Sequence, residues 1–138
     1  MNTPAYNKPL PAPDPDSAPF WEGTRAHELR LQRCDDCGTH RYPAGPHCPS
    51  CRSTRATWIK SSGRGKVYSW IVVVHPVPKE VYHQDVPYAV ALIDLAEGVR
   101  IASNIVGCDP RAITADMPVE VVFDAVTADV TLPKFKPA

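Results

Sequence analysis

Four cysteines in the string CDDCGTHRYPAGPHCPSC constrain this chain more than any other feature. Cys34 and Cys37 form one C-x2-C pair and Cys48 and Cys51 a second, with ten residues between the pairs. Two residues between cysteines let the backbone turn into a tight knuckle that brings both sulfurs to one ion. Gly38, directly after the first pair, permits the left-handed backbone that such a turn uses. Four thiolates in a tetrahedron suit zinc and leave no open coordination position, so the expected ion is structural and not catalytic. Iron in a similar cage is the rival, disfavoured by the short separation of the pairs; four unligated thiols are the bland alternative. His40 and His47 flank the pairs and are expected to stay outside a shell that is already complete. A ribbon this small has too little core to fold alone, so metal binding would supply its folding free energy.

The 138 residues leave room beyond that module for one compact domain. Five cysteines without a recognisable export signal argue for a reducing compartment, and the expected address is cytoplasmic. The longest apolar run, Trp70 to Val74, is too short to cross a bilayer, so no membrane partner is expected. Net charge is zero but unevenly spread. Nine Lys or Arg face three acidic residues between Arg25 and Lys66, whereas five face nine from Val67 to Ala138. That split suggests an anionic ligand near the ribbon, against the alternative of chance clustering of solvated side chains.

Along the chain, six prolines among the first 19 residues (Pro4, Pro9, Pro11, Pro13, Pro15, Pro19) forbid a continuous helix or paired strand and predict an extended arm. Ser17 is placed to cap a helix running through Phe20, Trp21 and Glu22 towards Glu28, with Pro19 tolerated in its first turn. After the cysteines, five strands are expected, around Arg55–Lys60, Lys66–His75, Tyr88–Leu95, Val99–Val106 and Val119–Val126. Ser61–Gly65 and Glu97–Gly98 supply turn chemistry. In the second strand Tyr68, Trp70, Val72 and Val74 are expected on one face and Val67, Ile71 and Val73 on the other. A strand apolar on both faces is covered on both, by a helix, by barrel closure or by a partner. Five such short strands suggest a partly open Greek-key barrel, the OB-fold. The expected protein is mainly β: an N-terminal proline-rich arm and helix over 1–28, a rubredoxin-like zinc ribbon over 29–54 and a five-stranded OB-fold barrel over 55–138. Cys108, the odd thiol, has no evident base beside it and reads as a small core residue.

These segments together resemble a known family of acyl-CoA-associated proteins in which a zinc ribbon is joined to an OB-fold, the domain of unknown function thirty-five. The resemblance rests on PFWEG (Pro19–Gly23), ELRLQRCDDCG (Glu28–Gly38), RYPAGPHCPSC (Arg41–Cys51), SGRGKVYSW (Ser62–Trp70), VPYAVALIDLAEGVRIASNIV (Val86–Val106) and MPVEVVF (Met117–Phe123), in this order and spacing. It implies an accessory subunit whose partner is a thiolase-like enzyme or a lipid-transfer-type aldolase, in some cases with a hydratase-like subunit. In such assemblies the ribbon and barrel help complete the coenzyme A channel, and the partner supplies the catalytic residues.

The residues are compatible with that role. No Ser/His/Asp or Cys/His arrangement and no motif of paired carboxylates is legible, so an enzyme acting alone on acyl-CoA esters is the weakest reading. Coenzyme A esters, as a ligand shared with the partner, carry phosphates that Arg41, Arg52, Arg55, Arg64 and Lys66 could meet. Tyr42 and Tyr88 could line an apolar path for the pantetheine arm. The competing class is a single-stranded nucleic-acid binder, in which Arg64 to Trp70 would mix cations with stacking rings. Zero net charge and the acidic second half of the chain count against it.

Overall fold

The computed structural model describes residues 5–138; Pro4, counted above with the arm, lies outside the described residues. The extended arm leads into helix α1, Ala18–Arg25. Capping falls to an Asp14/Ser17 pair: the Ser17 amide donates to Asp14 Oδ1 at 2.7 Å and the Asp14 amide donates to Ser17 Oγ at 3.0 Å. Ser17 itself has helical backbone angles and gives no side-chain cap, so the expected cap role belongs to Asp14, three residues earlier. The helix also stops short of Glu28. His27 takes φ +59°, and the Glu28 amide closes back onto the Gly23 carbonyl at 2.8 Å, satisfying the helix end.

Strands β1 (Arg30–Cys34), β2 (His40–Arg41) and β3 (Ala56–Lys60) form a three-stranded antiparallel sheet in the order β2-β1-β3. Leu31 pairs with Ile59 and Cys34 with Ala56 across β1 and β3. Leu29 and Leu31, each 1% exposed, bury their side chains in the same cluster as Phe20 of α1. The strand at 56–60 therefore belongs to the ribbon sheet, not to the barrel as its alternation suggested.

The barrel closes from β4 (Arg64–Val73), β5 (Tyr88–Leu95), β6 (Arg100–Ile105), β7 (Pro118–Ala125) and β8 (Thr131–Pro137) in the order β4-β5-β6-β8-β7. Its fifth strand is β8, a segment not expected as a strand. Phe135 of β8 is fully buried, and the β6–β8 closure is parallel at Ile105 and Phe135. A short helix α2 (Lys79–Tyr82) sits in the β4–β5 connection, and a 3-10 turn (Pro110–Ala112) follows β6. Cys108 packs half-buried against the core.

A β-bulge between Val67 and Ser69 reorganises the faces of β4. Val67 is opposite Ile93 and Trp70 opposite Ala91, so both aim into the barrel although an odd number of positions separates them. Tyr68 and Ile71 are left outside, 53% and 61% exposed. The grouping of Tyr68 with Trp70, expected from strict alternation, fails at this extra residue. Only one face of the strand is covered.

Ribbon and barrel meet at Ser61, 5% exposed. Its amide donates to the Leu29 carbonyl at 2.7 Å. Its hydroxyl donates to Glu97 Oε1 at 2.7 Å, and the Ser62 amide to Glu97 Oε2 at 2.9 Å. The β5–β6 turn thus clamps the joint.

Candidate functional site

The cysteine site is built from two matching turns. The Gly38 amide donates to the Cys34 carbonyl at 2.9 Å and the Arg52 amide to the Cys48 carbonyl at 2.9 Å. Gly38 has φ +76° and Arg52 φ +65°, so the residue after each pair takes left-handed backbone. The knuckles bring the sulfurs of Cys34, Cys37, Cys48 and Cys51 within 4.8 Å of one another. Cys34 Sγ lies 3.5 Å from Cys51 Sγ, and Cys37 Sγ 3.5 Å from Cys48 Sγ. A zinc tetrahedron with arms of about 2.3 Å has edges of about 3.8 Å, so the four sulfurs fit that ion.

Their electrostatics agree. The Cys51 amide, against the opposing effect of burial, holds the Cys48 thiol down to about 6. For Cys51 the Ser53 amide pulls the other way, but the sulfurs of Cys34, Cys37 and Cys48 together push it up to about 12. Sulfurs this crowded do not all ionise without a cation among them. Zinc held by these four residues would supply a cross-link between the two knuckles and no open position for substrate.

The seven candidate contacts for an acyl-CoA ligand do not converge. Arg41 is 6% exposed; its Nε donates to Gln32 Oε1 at 2.8 Å and its Nη2 to the Gly45 carbonyl at 2.9 Å. Nε and Nη2 thus brace the loop between the knuckles from within, while Nη1 is buried with no hydrogen-bond partner among the described residues. Tyr42 packs on Phe20 with ring centroids 5.5 Å apart, and burial pushes its phenol up. Arg55 is engaged by the Asp36 carboxylate, which also accepts from Ser53 Oγ. Arg52 occupies the exposed left-handed position after Cys51. Arg64 and Lys66 lie exposed at the start of β4, with Lys66 Nζ 3.8 Å from Asp116. Tyr88 pairs with Val73 at the far end of the same ladder in which Lys66 pairs with Asp94. Six strand residues, roughly 20 Å, separate those ends.

The outer face of the barrel has features that no local motif announced. Tyr68, Ile71, Val90 and Leu92 are 53%, 61%, 36% and 39% exposed on β4 and β5, with Ile71 directly opposite Val90. Val74 and Val77 extend the surface into the β4–β5 connection, 47% and 90% exposed. Arg100 lies 3.5 Å over the Tyr68 ring and forks onto Asp94 at 2.6 and 3.2 Å. That guanidinium holds the Asp94 carboxyl below its ordinary range. The basic and aromatic platform suggested by Arg64 to Trp70 is not assembled: Trp70 is half-buried against the core and Tyr68 is capped by Arg100. No helix among the described residues is long and apolar enough to cross a membrane.

Known proteins share this architecture. Residues 21–56 match the family described as ChsH2, rubredoxin-like zinc ribbon domain, and residues 58–124 match ChsH2, C-terminal OB-fold domain. A probable enoyl-CoA hydratase alpha subunit of Thermomonospora curvata is 43% identical over 133 residues, which are 95% of this chain and 40% of that protein. The chain thus spans about two fifths of that relative's length. A DUF35 domain-containing scaffold protein of Methanocaldococcus jannaschii is 44% identical over 70% of this chain and 68% of its own. The benzoylsuccinyl-CoA thiolase subunit BbsA of Thauera aromatica is 32% identical over 74% and 67%. Among solved structures, a chain of an Ltp2-ChsH2(DUF35) aldolase superposes with a TM-score of 0.84 at 40% identity, covering 93% of this chain and 98% of that one.

Proposed function

Because the chain belongs to the DUF35 family of ChsH2-type zinc-ribbon and OB-fold proteins, we propose that it is a non-catalytic accessory subunit that docks on a thiolase-superfamily enzyme and helps form its acyl-CoA site. The observation that carries this reading is the outer barrel face. Isolated exposed aliphatic residues are ordinary, but here Ile71, Val90 and Leu92 lie together on two paired strands, continued by Val74 and Val77. Such a surface marks a protein contact. The names of its relatives support the kind of partner: one is a subunit of a thiolase, one a chain of an aldolase complex, and one a hydratase alpha subunit.

Of the residues considered for the ligand, Arg64 and Lys66 are the ones exposed on the same barrel side as the apolar face. In an assembly they would stand at the rim of the contact, where cations can meet the phosphates of a coenzyme A ester bound largely by the partner. Zinc would keep the ribbon folded beside this rim. Co-expression with thiolase-superfamily proteins of the source organism tests the reading. A stoichiometric complex that survives gel filtration is expected. A chain that stays a dispersed monomer and retains none of them overturns it.

A further inference from the structure

Among its described residues the proline arm is tied down at two points. At its junction with helix α1 it is fixed by the Asp14/Ser17 pair. Further towards the N-terminus, Lys8 Nζ sits 3.0 Å from Asp85 Oδ2, just beyond α2, and 5.3 Å from the centre of the Tyr6 ring. Hydrogen bonding to Asp85 raises the Lys8 ammonium above its ordinary value. Between these anchors Pro11 and Pro13 line a small cavity with Trp21 and Val130. Tyr6, Lys8 and Pro9 form one wall of a larger cleft of about 620 Å³, whose other walls include Tyr82, Tyr88 and Lys134. Alternate prolines favour the extended polyproline conformation, about 3.1 Å per residue, so the six steps from Lys8 to Asp14 reach about 19 Å as a semi-rigid spacer.

The segment this spacer reaches needs holding. The β4–β5 connection, residues 74–87, is far longer than an ordinary hairpin loop. Its helix α2 buries no residue. Apart from its own turn hydrogen bonds, its ties to the body include the Tyr82 ring against Tyr88, centroids 6.1 Å apart, and the Lys8–Asp85 pair. Val74 and Val77, which extend the apolar face, stand on this connection.

We propose that the proline arm is a brace that fixes the 74–87 connection through Lys8 and Asp85, and so presents Val74 and Val77 in a single pose to the partner subunit. The proposal rests on the accessory-subunit reading for the identity of the partner but not for the brace itself. A preorganised loop loses less freedom on docking, which favours association without adding a contact.

Hydrogen exchange on the free full-length chain tests the brace. Lys8→Ala is expected to raise exchange over residues 79–87 by about two- to five-fold, the range of one partly exposed ion pair. Removal of residues 1–12, which leaves the Asp14 cap intact, is expected to raise it about ten-fold or more. The exchanged pair Lys8→Asp with Asp85→Lys should restore the wild-type rate. Protection of the core amides of Ile93 and Val67 serves as the control for folding. Exchange in 79–87 that stays at the wild-type rate in both Lys8→Ala and the truncated chain overturns the brace. In co-expression with the thiolase-superfamily subunit, the truncated chain should be lost from the complex sooner than wild type. Equal retention of the two overturns the presenting role. A wild-type chain that retains no such subunit rejects the accessory-subunit reading instead, while the exchange data still decide the brace.

Discussion

Glu97 concentrates more of this structure's logic than any other single residue outside the cysteines. Burial works against its charge, yet the Ser62 amide and the Ser61 hydroxyl outweigh burial and lower its carboxyl below the ordinary glutamate value. A group with a depressed folded pKa contributes stability above its unfolded value of about 4.3, and loses that contribution as pH falls through the folded value. Glu97→Gln keeps the shape and removes the charge. It should cost about 1 kcal/mol at pH 7, after allowance for solvent screening at a half-exposed site. The gap between the urea midpoints of the two proteins should narrow as pH falls below the unfolded glutamate value of about 4.3, and a gap that does not narrow on acidification would refute the ionic role. The turn itself was legible in the sequence, because Glu97–Gly98 is turn chemistry and Gly98 takes φ +90°. The clamp was not, since Ser61 lies 36 residues away and only the closed barrel brings it near. Arg41 shows the same limit in reverse. A cation beside a metal motif reads as a ligand contact, whereas pairing of β1 with β2 turns it inward onto Gln32.

At the scale of elements, the ribbon and the barrel draw on different sources of stability. The barrel buries a continuous set of apolar side chains, including Val67, Ile93, Ile101, Val119 and Phe135. In the ribbon β2 has two residues, and the cysteines themselves supply part of what is buried. Structural zinc in comparable small modules supplies about 10–16 kcal/mol of apparent binding energy at neutral pH, so its removal should undo one element and spare the other. Metal analysis is expected to find one zinc per chain. A chelator with reductant should then abolish amide protection in β1 and β3 while β4 to β8 keep theirs. Ribbon amides that remain protected after complete metal loss would show that the ion is dispensable. The four ligands could be read from the chain because their spacing is local. The assignment of strands to sheets could not. Alternation marks Ala56–Lys60 as a strand but does not say that its ladder is with β1. β8 contains Pro133 and Pro137, residues that the interior of a sheet disfavours, so its sequence carries a weak strand signal. Both are tolerated because β8 runs its ladder with β7, while its backbone pairing with β6 among the described residues is confined to Ile105 and Phe135 and the Pro133 carbonyl accepts from Ser103 Oγ at 2.8 Å.

For the molecule as a whole, the question is why an otherwise ordinary barrel leaves Ile71, Val90 and Leu92 in water. An antiparallel sheet with one solvated face normally alternates apolar inside with polar outside. Here β5 keeps its inner face strictly apolar (Ala89, Ala91, Ile93) yet also places Val90 and Leu92 outside. The bulge in β4 adds Ile71 opposite Val90, so the exposed residues form one surface instead of scattered points. Covalent geometry did not force this arrangement, and the single chain gains less from it than full burial would supply, because Ile71 stays 61% exposed and Val90 and Leu92 keep 36% and 39% of their surface in water. Replacing them by charge should therefore separate folding from association. Ile71→Asp and Leu92→Asp, made singly, should lower the unfolding free energy from urea titration by no more than about 1–2 kcal/mol, the strand-propensity cost plus partial loss of apolar contact, and leave the chain folded. Each should weaken the complex with the thiolase-superfamily subunit by at least about ten-fold, since an aspartate buried there would lack a partner charge. Asp129→Lys, a charge change in the β7–β8 turn away from this surface, should leave association unaltered. Sedimentation of the free chain adds a check, for an uncovered face of this kind should drive weak self-association that both aspartate variants suppress. If Leu92→Asp assembles as firmly as wild type, the outer face of β4 and β5 is not where the partner sits.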